Sequence, residues 1–315
     1  MSKTQNALIG FAVGDAMGVP LEFLDRQDLM KNPVTEMLQK KPYPVGIYSD
    51  DTSMTIATMA AIIKDKKIDG KHIMDNFVEW VKNGKYSATN RCFGIGKTTL
   101  QAITKYVNAK DYITPSRCGL TDIKSNGNGS LMRMLPIALY TYNKKLSDFE
   151  IAKITNEVSS LTHAHEISKI ACYIYIKYIH FILEGLSIQD AYKKIKELDY
   201  YFYKEENLSY FDRILKINIK NLTLDNLNSS GYVVDTLETV FWLLLNTTSY
   251  SQTIIGAINL GGDTDTIAAI AGSIAGLVYG YDSIPSKWKN KLAYKDDLLH
   301  LAKAFDDAID NPLIT

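Results

Sequence analysis

Apolar residues recur along the chain at helical intervals, and no set of segments alternates apolar with polar residues as half-buried strands do. Ala7, Leu8, Phe11 and Ala12 share one helical face, and Gly14-Asp15-Ala16-Met17-Gly18 with Pro20 is expected to end that helix. Val19 to Tyr48 carries Pro20, Pro33, Pro42 and Pro44 and reads as a long irregular connection, of the kind that often carries function inside a compact domain. Asp50 opens an apolar helix through Ile63, and Asp69 caps another that runs through Val81. Asn90 to Lys97 is a loop feeding a helix from Thr98 to Val107, and Asn126 to Ser130 is a second such loop, feeding a helix with Pro136 inside it. Ser147 to Glu150 fits a capping box, Thr162-His163-Ala164-His165 introduces the apolar run Ile167 to Leu183, and Ser187 begins the next helix. Leu198 to Ser230 is rich in Tyr, Asn and mixed charge and carries the weakest pattern. Helices resume at Val233, and the last runs from about Tyr294 to Ile309. The pattern predicts an all-α fold built as one compact multi-helix domain over residues 1–315.

Composition narrows what such a fold does. The chain of 315 residues is 46% hydrophobic, enough to build a large core without staples. Lys+Arg and Asp+Glu are both 35, so no nucleic-acid groove or membrane-binding basic face is expected, and selectivity has to come from local charge. Cys92, Cys118 and Cys172 are far apart and lack a C-x-x-C pair, which argues against a disulfide framework and a structural zinc site and points to the cytoplasm. The uncharged stretch Thr239 to Gly262 has the length of a membrane span, but Asn246, Thr247, Thr248, Ser249, Ser251, Gln252 and Asn259 break it into two core helices.

Two acidic clusters stand out against this background. Gly261-Gly262-Asp263-Thr264-Asp265-Thr266 places two carboxylates and two hydroxyls where a long apolar helix begins, and Ser49-Asp50-Asp51-Thr52 repeats that chemistry. Residues two apart on a helix point to nearly opposite sides, so Asp263 and Asp265 reach one site only if the Gly-Gly turn carries at least one of them. Four buried carboxylates repel one another unless cations neutralise them, and a set of oxygen ligands without Cys favours Mg²⁺ or Mn²⁺ over zinc. Glu22 is a candidate fifth carboxylate. Gly94-Ile95-Gly96-Lys97-Thr98 fails the nucleotide-binding pattern G-x-x-x-x-G-K-[ST] because Arg91 stands where the first glycine belongs. What remains is a glycine loop at a helix N-terminus, able to donate backbone N–H groups to a phosphate. His163 and His165 do not make a zinc site, and no G-x-S-x-G nucleophile is present.

Taken together these stretches resemble the ADP-ribosylglycohydrolase family. The matching pieces are Gly14-Asp15-Ala16-Met17-Gly18 with Glu22, Ser49 to Thr55, Gly94 to Thr99, Gly127 to Arg133, Thr162-His163, Ser230 to Glu238, and Asn259 to Thr266. The resemblance implies a dinuclear Mg²⁺ centre, with Mn²⁺ as a substitute, at the base of a cleft for ADP-ribose. It implies Ser49 or Thr52 with Asp50, Asp51, Asp263, Asp265 and Thr266 as metal ligands, and Glu22, Asp51 and Asp263 in catalysis. Gly94, Gly96, Thr98, Asn128, Gly129, Ser130 and His163 are implied contacts to the pyrophosphate and riboses. The expected reaction is attack of water on C1 of the distal ribose, releasing ADP-ribose from an ADP-ribosylated protein or small conjugate, carried out by a monomer. A two-metal nucleotide phosphohydrolase and a silent ADP-ribose-binding protein are the competing readings. Members acting on ADP-ribosyl-arginine can place an acidic residue in the loop corresponding to Phe93 to Thr99; here Ser87 to Lys110 has no Asp or Glu, which leaves the acceptor open.

Overall fold

The computed structural model describes residues 1–109 and 112–310; of the expected domain, residues 110–111 and 311–315 lie outside the described residues. Among the described residues the architecture is helical, with no sheet and only the isolated bridges Leu120–His163 and Gly127–Tyr232. Among the described residues no helix is long and apolar enough to cross a membrane.

The centre of the fold is an antiparallel pair, Lys3–Gly18 against Thr264–Tyr279. Both helices are buried nearly all round, so neither has the polar face that marks a surface helix. They meet backbone to backbone along small residues at helical spacing. A methyl added to Gly10 would lie 2.3 Å from the Gly272 carbonyl oxygen, and one on Gly14 would lie 2.1 Å from that of Ala268. One on Gly18 would lie 2.3 Å from the Asp265 Cα. This contact corrects the expectation that Gly14 to Gly18 ends the first helix. The helix continues through Asp15 to Gly18, because in this setting the glycines permit close packing, and only then passes into the 3-10 turn Val19–Leu21 with Pro20 near its start. Thr264, the residue at the start of the other helix, ties the pair together by donating its hydroxyl to the Gly18 carbonyl at 3.0 Å.

Around this pair lie Asp50–Asp65, Tyr250–Ile258, Val233–Asn246 and the C-terminal helix Lys295–Asp310. Buried apolar residues from Ala7 to Ile309 join in one contiguous core. Pro136 lies inside its helix, in the first turn: Leu135–Asn143 begins one residue before it, after the 3-10 turn Leu131–Arg133, so its missing N–H falls where no helical bond is needed. The weakly patterned stretch Leu198 to Ser230 forms short helical pieces, Glu205–Leu208 and Asp212–Lys216, linked by turns. Its Tyr200, Phe202 and Tyr203 pack edge-on around the buried Tyr173. Its far end delivers Ser229 to Gly231 to the candidate site, through Asp263 N–H to the Ser229 carbonyl (2.7 Å) and Asn128 N–H to that of Gly231 (3.0 Å).

Candidate active site

Asp15 is the junction between the central pair and the first acidic cluster. Wholly buried, it accepts from Ser49 N–H (2.9 Å), Thr52 N–H (3.0 Å) and the Thr52 hydroxyl (2.6 Å), satisfying donors at the start of helix Asp50–Asp65. Ser49 caps the same helix by accepting from Asp51 N–H at 3.3 Å. Ser49 and Thr266 also donate their hydroxyls to Asp51 Oδ2, at 2.9 and 3.3 Å. The second acidic cluster comes in from the other direction. Gly261 and Gly262 take φ of +69° and +70°, the left-handed region open to glycine. Asp263 then precedes the helix and Asp265 lies in its first turn. Asn128 donates to Asp263 Oδ2 at 2.6 Å. The Gly-Gly turn also holds the loop of Glu22, through Phe23 N–H to the Gly262 carbonyl at 2.7 Å. Arg26 braces this corner by donating to the carbonyls of Leu224, Leu227 and Leu260.

The carboxylates fall into two groups that share Asp265. Oxygens of Asp15, Asp51 and Asp265 lie within 4.8 Å of one another, as do those of Glu22, Asp263 and Asp265. Burial pushes Asp15 up to about 6 and raises Asp50, Asp51 and Asp265 well above the usual carboxylate range, with mutual repulsion adding to it. Glu22 is raised by burial and then by Asp263. The donor set fits a hard cation. Asp51 Oδ1 is buried and has no hydrogen-bond partner, which is costly for a carboxylate oxygen in the absence of a positive charge, and every ligand atom is oxygen. A third group, Asp65, Asp69 and His72, lies away from this site; there Asp69 caps its helix through Lys71 and His72 N–H, and Asp65 bonds the His72 ring.

These groups open into a cavity of about 240 Å³. Of the residues singled out from sequence, Glu22, Asp50, Gly94, Gly96, Thr98, Asn128, Gly129, His163, Asp263, Asp265 and Thr266 line it. Ser49, Asp51 and Thr52 are buried and do not line it. Ser130 does not line it either: its hydroxyl is held in the core by Ser159 at 3.0 Å, with Cys172 Sγ at 3.5 Å. The loop at Gly94 closes on Asp50 so tightly that a methyl there would lie 2.4 Å from Asp50 Oδ1. Larger clefts, about 680 Å³ beside Tyr48 and Tyr294 and about 720 Å³ beside Leu24 and Arg26, contain neither carboxylate group.

Asp15 was not singled out from the sequence as a site residue, although an aspartate inside an apolar run was the available signal. Phe23, Thr99, Gly127 and Gly231 also line the cavity and carry no such signal.

The family model described as ADP-ribosylglycohydrolase matches residues 1–312. An ADP-ribosylarginine hydrolase of Serratia proteamaculans is 31% identical over 96% of this chain and 78% of its own length. The ADP-ribosyl-[dinitrogen reductase] glycohydrolase of Rhodospirillum rubrum is 29% identical over 93% and 91%. A human ADP-ribosylhydrolase is 26% identical over 92% and 88%. A solved structure described as an ADP-ribosylglycohydrolase-related protein complex has the same fold, with a TM-score of 0.79 at 24% identity over 98% of both chains. Matched along nearly its whole length, the chain belongs to the ADP-ribosylglycohydrolase family and is a glycohydrolase.

Proposed function

We propose that the cavity takes the ADP-ribosyl group of a modified protein side chain and hydrolyses its bond at C1 of the distal ribose. The observation that carries the reading is the pair of carboxylate groups sharing Asp265, with Asp51 Oδ1 lacking a partner, opening into a cavity whose other wall is built of glycine loops and His163. Asp15, Asp51 and Asp265 would hold one Mg²⁺, and Glu22, Asp263 and Asp265 a second, with Thr266 and Asp50 beside them. Bound there, Mg²⁺ supplies Lewis acidity and orients ribose hydroxyls.

The chain's own residues do the rest. Glu22 is half-buried at the cavity wall, placed to take a proton from water. Water adds to C1 and its proton passes to Glu22; the bond from C1 to the acceptor breaks, the departing acceptor atom keeps the electron pair, and it takes up a proton from solvent, to which Glu22 returns its own. The products are ADP-ribose and the unmodified side chain. The glycine loops at Gly94 to Gly96 and Gly127 to Gly129 admit the diphosphate close to the backbone, and the buried carboxylates favour a cationic, oxocarbenium-like ribose. Similarity to an ADP-ribosylarginine hydrolase puts the arginine linkage first among candidates.

The test is a panel of ADP-ribosylated Arg, Ser and Cys substrates and ADP-ribosylated nucleic acid, scored for released ADP-ribose with Mg²⁺, with Mn²⁺ and with chelator. Metal-dependent release of ADP-ribose from at least one member is expected. Release of phosphate or a nucleoside monophosphate instead would show a phosphohydrolase.

A further inference from the structure

Behind His163 lies a cation without an anion. Arg133 is wholly buried in the turn that follows the cavity-lining Gly127 to Gly129 loop. Its guanidinium donates to the Val158 carbonyl from both terminal nitrogens at 3.3 Å and to the Thr162 hydroxyl at 2.7 Å, and lies 5.1 Å from the centroid of the Phe77 ring. Its Nε has no partner, and no carboxylate pairs with it among the described residues. Burial lowers its pKa only to about 10, so it is charged at neutral pH. An unpaired buried charge is expensive, and nothing in the carboxylate chemistry described above accounts for it.

Thr162 links this charge to the cavity. Its Oγ1 accepts from Arg133 and lies 2.8 Å from His163 Nδ1. A hydroxyl has one proton to give, and Thr162 is wholly buried. If Nδ1 carried a hydrogen, the Thr162 proton would be left without an acceptor; with Nδ1 bare, that proton has its acceptor. The network therefore assigns His163 the tautomer with hydrogen on Nε2. Burial and then Arg133 lower this ring's pKa to about 3, so it stays neutral. The Cε1–Nε2 edge is the one turned toward the loop: a methyl on Gly127 would lie 3.6 Å from Nε2, and one on Gly129 2.8 Å from Cε1 and 3.4 Å from Nε2.

We propose that Arg133 and Thr162 are positioning residues for the substrate's diphosphate. Arg133, acting through Thr162, fixes His163 as a neutral N–H donor aimed into the cavity, and the negative charge of a bound diphosphate balances the buried guanidinium. The cavity is thus polarised, with buried carboxylates around one part and a buried cation behind another, and an ADP-ribosyl group enters in one sense only. This deepens the reading of the cavity as an ADP-ribosyl site and rests on it.

The experiment is calorimetric titration of the Mg²⁺-loaded protein with ADP-ribose, ADP and adenosine, paired with ¹⁵N spectra of the His163 ring. Thr162→Val is expected to weaken ADP-ribose and ADP about tenfold, leave adenosine unchanged, raise KM more than it lowers kcat, and mix the two His163 tautomers. Thr162→Ser should restore both the affinity and the single tautomer. Arg133→Met, checked for folding by thermal melting, should weaken the diphosphates further, about a hundredfold. Unchanged diphosphate affinity with a single Nε2–H tautomer in Thr162→Val overturns the proposal, as does an equal loss for adenosine and ADP. A wild-type protein that binds neither ADP-ribose nor ADP overturns the functional reading and this proposal with it, a result distinct from a wild type that binds both and variants that do not discriminate.

Discussion

The two acidic helix starts that meet in the site have nearly the same composition and opposite construction. At Asp50–Asp51 the helix begins conventionally, with Ser49 as its cap, and both aspartates lie in the first turn. Adjacent residues on a helix diverge, so Asp51 turns inward to Ser49 and Thr266 while Asp50 meets the cavity under Gly94. At Asp263–Asp265 two left-handed glycines come first, Asp263 stays outside the helix, and both carboxylates reach one group with Glu22. A regular helix start separates neighbouring carboxylates; a glycine turn in front of it makes carboxylates two residues apart converge. The second start is therefore the one on which both groups depend.

That asymmetry is broken hardest at Asp265, the residue common to both groups. Asp265→Asn should lower kcat/KM about a thousandfold, roughly 4 kcal/mol of transition-state stabilisation. Asp50→Asn, at the divergent position, should cost about tenfold to a hundredfold. Steady-state release of ADP-ribose measures both, and equal losses would remove the distinction between the two starts.

The glycine turn offers a stability version of the same contrast. Gly262→Ala puts a side chain at φ +70° and a methyl 2.1 Å from the Ser229 carbonyl oxygen, and should cost about 2–4 kcal/mol in urea unfolding. Gly96→Ala, where a methyl meets nothing within 4 Å and φ is −70°, should change stability by about 1 kcal/mol or less. Metal removal is the next step down. Saturating Mg²⁺ should stabilise the folded protein by about 2.7 kcal/mol at a hundredfold excess over Kd. Asp51→Asn should shrink that difference in thermal melts with and without chelator, since it removes the carboxylate whose Oδ1 has no other partner.

How far the sequence reveals this site follows from the same geometry. The clusters at Asp50–Asp51 and Asp263–Asp265 are legible because paired carboxylates ahead of apolar helices have few other uses, and the demand for a Gly-Gly turn follows from helical geometry alone. The all-α architecture is legible from periodicity. Asp15 is hidden because its helix has no polar face, so an aspartate flanked by glycines reads as a helix end; only the backbone contact with Ala268 and Asp265 shows why the helix continues. Ser130 is hidden in the opposite way: it lies in the right loop, but the direction of its hydroxyl is set by Ser159, which is distant in sequence. Arg133 gave no signal because a buried guanidinium and an exposed one are the same letter. The wall formed by Ser229 to Gly231 ends a stretch whose order comes from aromatic packing around Tyr173, and that packing has no period to read.

Acid is the gentlest probe of the comparison, because the histidines outside the carboxylate groups respond to it in a known sense. His163 and His180 are held neutral by burial, to about 3 and about 4. In the unfolded chain both return to about 6.5. Between pH 6.5 and 4 the unfolded state therefore binds more protons, and the stability the two rings contribute, complete above 6.5, is lost as pH falls toward their folded values. Each contributes a slope approaching about 1.4 kcal/mol per pH unit at most. Asp15, raised to about 6, has the opposite sign: its contribution is present at low pH and lost as pH rises through 6. Carboxylates that hold Mg²⁺ must be deprotonated, so with Mg²⁺ present they add their own loss on acidification, and urea unfolding should show the histidine-driven loss on top of it. His180→Gln, whose ring lies away from the cavity and bonds Thr141 and the Ala138 carbonyl, should flatten that loss by about half while leaving the Mg²⁺ dependence intact, because the two rings carry comparable shifts. If the loss keeps its full slope in that variant, the acid sensitivity belongs to the carboxylate starts and not to the histidines.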